Sequence, residues 1–225
     1  MIPLHDLEPS PRTPVATRLL LLLIALAWVW VLTLADRPAA LEAFYERWSF
    51  DPADLISAIR GGGDVTAAAL PLVTHQFLHA GWLHVLGNAL YLWIFGDNVE
   101  GHFGTGPFLV FYLLVGAIAA VGQGLASPGP MVGASGAIAG VLGAYVVISP
   151  AARIRTLVFL GIFITVVTLP AIVVIGEWIV IQVISGFGPL RIAEHTATAN
   201  VAYVAHVVGF VSGIALCRPF RGGRR

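Results

Sequence analysis

Gly133-Ala134-Ser135-Gly136-Ala137-Ile138-Ala139-Gly140-Val141-Leu142-Gly143 is the stretch on which the fold turns. Its serine stands between glycines, just after Pro130-Met131-Val132, at the head of an apolar run that lasts to Ile148. The run predicts a helix with the Ser135 hydroxyl near its N-terminus, where the helix dipole favours a developing oxyanion. Glycines at 133, 136, 140 and 143 recur every three or four residues and leave a bare face on which a second backbone can lie close. Gly209 and Gly213 offer a matching face near the C-terminus, and His206 shares it. Packing the two faces together would bring an imidazole toward the hydroxyl, which is a serine nucleophile with its general base. Small residues also line ordinary helix contacts in membranes, so Ser135 alone points to packing. His206 does not, because an ionisable group in an apolar span is expensive.

The composition sets the solvent for these helices. With 58% hydrophobic and 11% charged residues, and a mean hydropathy of +0.88, the chain reads as a polytopic membrane protein. Net charge is zero and the arginines are scattered, which argues against nucleic acid as a partner. The single Cys217 permits neither an internal disulfide nor a cysteine metal cluster.

Residues 1–17, punctuated by Pro3, Pro9, Pro11 and Pro14, are expected to form a short mobile cytoplasmic tail. Leu19 to Ala35 is a first span, just long enough for a hydrocarbon core of ~30 Å. Residues 36–80 are too mixed to span. There Asp51-Pro52 starts a helix with Leu55, Ile56 and Ile59 on one face, Gly61-Gly62-Gly63 ends it, and the region reads as amphipathic and interfacial. A second span runs from Trp82 to Phe95, with His84 and Asn88 on one face, and closes on a polar turn, Asp97-Asn98-Val99-Glu100. His75, His79 and His84 raise the question of a metal, but no carboxylate stands between them in a zinc-like spacing, so none is expected. The third span covers Pro107 to Leu125 and the fourth is the Ser135 helix.

Thr156 to Gly186 would be about 46 Å long as one helix, at ~1.5 Å per residue. The expectation is therefore an interfacial or re-entrant piece over 156–168 and a fifth span from Leu169 to Ser185, with Pro170 in its first turn. Glu177 falls within that span and should face protein or water. A sixth span runs from Ala199 to Leu216, and residues 218–225 form a basic cytoplasmic tail. With the N-terminus inside, Arg12, Arg18, Arg153, Arg155, Arg218, Arg221, Arg224 and Arg225 are cytoplasmic, while Arg37, Arg47, Arg60 and Arg191 are outside. This topology puts His84, Asn88, Ser135 and His206 at one depth, in the outer half of the bilayer.

Three motifs then resemble the rhomboid intramembrane serine proteases: His79-Ala80-Gly81-Trp82-Leu83-His84 with Asn88, Gly133-Ala134-Ser135-Gly136, and Ala205-His206-Val207-Val208-Gly209 with Gly213. They fall in the family's order on an all-α, six-helix plan, with residues 18–217 as the protease domain and a partly embedded first loop. The resemblance implies Ser135 as nucleophile and His206 as general base, with Asn88, His84 and the Ser135 amide binding the oxyanion. It also implies an acyl-enzyme, no cofactor, transmembrane protein substrates, and a multi-pass protein of a bacterial-type inner membrane whose site opens to the extracytoplasmic side. No carboxylate is placed to orient His206, so a dyad is expected, its imidazole held by packing. The chain departs from the family at Leu70-Pro71, where many rhomboids carry a Trp-Arg pair, and by analogy Trp178 would flank a side entrance for substrate. The contrasting class is a non-catalytic rhomboid-like protein that binds membrane helices, and a transporter is disfavoured by the lack of an inverted repeat.

Overall fold

The computed structural model describes residues 1–127, 129–161, 163–187 and 202–220, without the side chains of 160, 186 and 187. Three described helices are long and apolar enough to cross a membrane: α1 (Val15–Thr33), α7 (Thr105–Ala126) and α10 (Tyr203–Phe220). α6 (Trp82–Phe103) is a 22-residue helix, and α8 (Ser135–Ile148) and α9 (Ala171–Phe187) are apolar but shorter, with 14 and 17 residues. Together they form the expected helical membrane bundle. Its outer surface follows membrane logic: Leu22, Leu26 and Val29 on α1, and Leu86 and Trp93 on α6, are more than half exposed. Such apolar faces suit hydrocarbon rather than water.

α8 is the central helix. Every residue from Gly136 to Tyr145 is buried, because glycine and alanine let neighbouring backbones close in. A Cβ added at Gly209 would lie 2.2 Å from the Gly136 carbonyl, at Gly213 2.1 Å from the Gly140 carbonyl, and at Gly143 2.2 Å from the Phe210 carbonyl. The glycine faces expected from their spacing are thus a backbone-to-backbone seam between α8 and α10.

Residues 36–80 fold as short helices: α2 (Pro38–Trp48), α3 (Pro52–Ser57), α4 (Val65–Ala69) and α5 (Pro71–Thr74). Asp51 caps α3 through the Ala53 amide at 2.8 Å, and the helical turn after it, Ala58–Gly62, is broken at Gly61 with φ +90°, within the three glycines expected to end it. Ile56 and Ile59 remain exposed at 44% and 66%, the side that an interfacial segment would show to lipid.

Three expectations are corrected. Residues 156–168, expected as an interfacial or re-entrant piece, take extended structure: β2 (Arg153–Leu160) and β3 (Phe163–Pro170) form an antiparallel hairpin, with Gly161 at φ +64° in the turn. Arg153, Ile154, Arg155 and Thr156 alternate exposed and buried, a period of two, and the Val, Ile and Thr that follow favour a strand. Nor are residues 1–17 a loose tail. Ile2–Asp6 is β1, paired antiparallel with β2, and buried Asp6 accepts hydrogen bonds from Tyr145 Oη and, at 2.7 Å, from Asn98 Nδ2. Burial raises its carboxyl above the usual range, against the opposing pull of the Tyr145 hydrogen bond.

The third correction concerns α6, which continues past Phe95 instead of breaking at residues 97–100. Asn98 and Glu100 are buried because each is paired across the fold. Glu100 accepts from the Ala16 amide at 2.8 Å, the Thr17 amide at 2.7 Å, Thr17 Oγ1 at 2.8 Å and Thr105 Oγ1 at 2.9 Å. A carboxylate from α6 therefore satisfies amides left open by the first turn of α1, favourably placed in the helix dipole. The sixth helix begins at Tyr203. The expected start at Ala199, Arg191 in the charge count and the basic residues beyond Phe220 lie outside the described residues.

Candidate active site

The Ser135 loop is fastened from the first loop. Gly133 N–H donates to the His75 carbonyl at 2.9 Å, and Phe50 and Met131 exchange backbone hydrogen bonds of 3.1 and 2.9 Å. Thr74 Oγ1 donates to the Trp48 carbonyl at 2.9 Å and Tyr45 Oη to the His79 carbonyl at 2.7 Å. The segment holding Leu70-Pro71 is therefore docked through backbone and hydroxyl contacts, with Pro71 buried as the first residue of α5. A cleft of about 540 Å³ opens beside Met131 and Val132, its lining also including Glu42, Glu46, Asp51 and Asp54.

Gly133 adopts φ +127°, and a Cβ there would lie 2.7 Å from His84 Nε2 and 3.8 Å from Ser135 Oγ. The His84 imidazole therefore lies over the turn that delivers Ser135, and only glycine leaves it room. Ser135 is the first residue of α8, and Ala134 before it caps no amide with a side chain. The first-turn amides of α8 are thus left without a side-chain cap.

Asn88 is buried behind His84. Its Nδ2 pairs with His79 Nε2 at 2.9 Å, and the His79 and His84 rings meet edge to face at 4.9 Å. His79 Nδ1 lies 3.3 Å from the Phe77 carbonyl, so the ring donates there and accepts from Asn88. Burial, reinforced by the neighbouring His84, lowers the His79 imidazole to about 4 and keeps it neutral for that role. An amide nitrogen has two hydrogens, so Asn88 retains one for a ligand. His79 stands in the first motif, but its part as the acceptor for Asn88 is visible only in the fold. Among the described residues no three His, Cys, Asp or Glu side chains converge as metal ligands.

His206 comes from α10, whose start is fixed by Gln123 Oε1 accepting from the Ala205 amide at 3.1 Å. The α8–α10 seam brings Ala205 to 3.8 Å from a Cβ placed on Gly136, so the neighbours of Ser135 and His206 touch. Among the described residues the Ser135 hydroxyl makes no hydrogen bond, and His206 Nε2 has no partner. The buried ring is held by Trp178 at 5.6 Å and Tyr203 at 6.4 Å between centroids. Its Nδ1 lies 2.7 Å from Oε1 of Gln182, so the imidazole is held by a hydrogen bond as well as by packing. Gln182 carries a single signal in the sequence, a lone amide side chain in an apolar span. Glu177 is turned to another task and accepts from the Met1 amino group at 2.9 Å.

The Rhomboid domain family profile matches residues 67–221. Rhomboid protease GluP of Bacillus subtilis (strain 168) is 33% identical over 142 residues, covering 63% of this chain and 24% of that protein. Rhomboid protease GlpG of Photorhabdus laumondii is 34% identical over 71 residues, covering 32% of this chain and 25% of that protein. The matched stretches thus span about a quarter of the length of each relative. A profile that covers all three motifs, on a membrane bundle with α8 at its centre, establishes that this chain belongs to the rhomboid family.

Proposed function

We propose that the chain is a serine-type endopeptidase that cleaves transmembrane segments within the bilayer. Ser135 is the nucleophile, and His206 takes its proton and returns it to the leaving amine. His84, the remaining Asn88 hydrogen and the Ser135 amide stabilise the oxyanion. Water then resolves the acyl-enzyme without a cofactor. The observation that carries this reading is the crowding at Gly133, where a Cβ would lie 2.7 Å from His84 Nε2 and 3.8 Å from Ser135 Oγ, at a helix start with no side-chain cap. The names of the matched relatives, which are rhomboid proteases, support the same activity.

The length of α8 adds a reason for chemistry inside the membrane. Its 14 residues make about 21 Å at 1.5 Å per residue, short of a hydrocarbon core of ~30 Å. A helix whose C-terminal end is at one surface starts well below the other, and α6, α8 and α9 complete six spans with α1, α7 and α10. Substrates must expose backbone amides at that depth, so helix-weakening Gly or Ser near the cut is expected. With the N-terminus inside, the site opens to the extracytoplasmic side, and residues 1–17 and 218–225 are cytoplasmic.

A fluorophosphonate probe should label the wild-type protein and not Ser135→Ala, and purified protein in liposomes should cut a model transmembrane substrate. Equal labelling of the two rejects the nucleophile. Substrate binding without cleavage would favour the non-catalytic, helix-binding reading.

A further inference from the structure

We infer that Gln182 is a positioning residue that fixes His206 in the tautomer needed for catalysis, an inference that rests on the proposed proteolytic role of His206. Gln182 and His206 are 8% and 7% exposed, and the ring Nδ1 meets the amide Oε1 at 2.7 Å. The amide is oriented by its own helix: Nε2 points back to the Trp178 carbonyl, one turn earlier, at 3.4 Å. That leaves the oxygen toward the ring. A carbonyl oxygen can only accept, so Nδ1 carries the proton and Nε2 presents a lone pair. In the opposite tautomer Nε2 would offer the Ser135 hydroxyl a hydrogen and could not take one. A neutral amide thus does the orienting work for which a carboxylate is often used.

The device depends on α9. Gln182 and Trp178 both come from that helix, and they are two of the three side chains holding the ring. His206 is aimed, therefore, only while α9 stays packed on α10. Few other groups compete for control of the imidazole. The titratable neighbours are Tyr203 on its own helix and His84 from α6, while Tyr91 of α6 lies behind Trp178. α7 and α8 contain no charged side chain. Glu177, the charged residue of α9, is engaged by the Met1 amino group.

The test compares wild type, Gln182→Met, Gln182→Glu and Ser135→Ala in liposomes with a fluorogenic transmembrane substrate, and records ¹⁵N spectra of histidine-labelled protein. Gln182→Met keeps the length and removes the acceptor. Its kcat should fall roughly 10- to 100-fold with KM within about threefold. Gln182→Glu keeps an acceptor and adds charge that favours the imidazolium. Its kcat should recover at high pH, and the acid limb of the pH–rate profile should move upward by about 1 to 3 units. The wild-type spectrum should show His206 protonated at Nδ1 at neutral pH, and Gln182→Met should lose that preference. Wild-type kcat in Gln182→Met, an unmoved acid limb in Gln182→Glu, or Nε2 protonation in the wild type each overturns the assignment. If Gln182→Met does not fold, the Glu variant and the wild-type spectrum decide. Absence of Ser135-dependent cleavage in the wild type would instead reject the protease reading, and the spectra would still judge Gln182.

Discussion

Replacing Gly209 by alanine should disable the protein in a way that its small volume change conceals. The added Cβ would sit 2.2 Å from the Gly136 carbonyl oxygen and 3.3 Å from Ala139 Cβ, whereas ordinary contact begins near 3.4 Å. Both obstacles belong to α8, and the first is backbone, so no side chain can rotate aside. α8 and α10 must part by about 1 Å or more at the level of Ser135. Overpacking of this kind costs roughly 1 to 3 kcal/mol, and a displacement of about 1 Å between reacting groups lowers the rate by about 10²-fold. Gly176→Ala on α9 is the matched control, because a Cβ there meets nothing within 4 Å. It should stabilise by about 0.5 to 1 kcal/mol through helix propensity. Thermal unfolding in micelles and cleavage in liposomes measure both effects. If Gly209→Ala matches Gly176→Ala in stability and rate, the seam does not position the proposed catalytic pair.

Asn88→Ala should lower kcat by about 10²- to 10³-fold without abolishing it, as loss of one oxyanion donor does, and an unchanged kcat would remove Asn88 from the site. Glu100→Gln should cost roughly 3 kcal/mol, because the amide nitrogen turns a donor toward one of the two backbone amides, Ala16 or Thr17, that each face a carboxylate oxygen; unchanged unfolding would show that α1 does not depend on that cap. Burial lowers His75 and His79 from 6.5 to about 4, so the unfolded chain takes up protons first. Stability should be complete above about pH 6.5 and fall toward pH 4 by about 1.4 kcal/mol per unit for each group. A melting temperature that stays level between pH 7 and 5 contradicts this.

Much of the helical bundle was legible because membrane sequence is locally explicit. An apolar run states its own length, and glycines at spacings of three and four mark a face whatever the partner is. Asp51-Pro52 and the Gly61 stop were equally local, since a cap and its amide lie two residues apart. The sheet is hidden in the sequence for a different reason. Residues 156–168 are as apolar as a span, and hydropathy outweighed the alternation at 153–156 and the β-branched content that favour a strand. The polar run at 97–100 looked like a turn because its partners, Asp6, Ala16 and Thr17, lie more than 80 residues away.

By itself the sequence determined a membrane bundle of the rhomboid family, the glycine faces of α8 and α10, and Ser135, His206, His84 and Asn88 as the candidate site. Tertiary structure alone decided that His79 holds Asn88, that Gln182 holds His206, and that Glu100 caps α1. Helical periodicity is written within a few residues and survives in a linear string. A hydrogen bond between two spans depends on how both helices rotate and settle against a third, which no local pattern records.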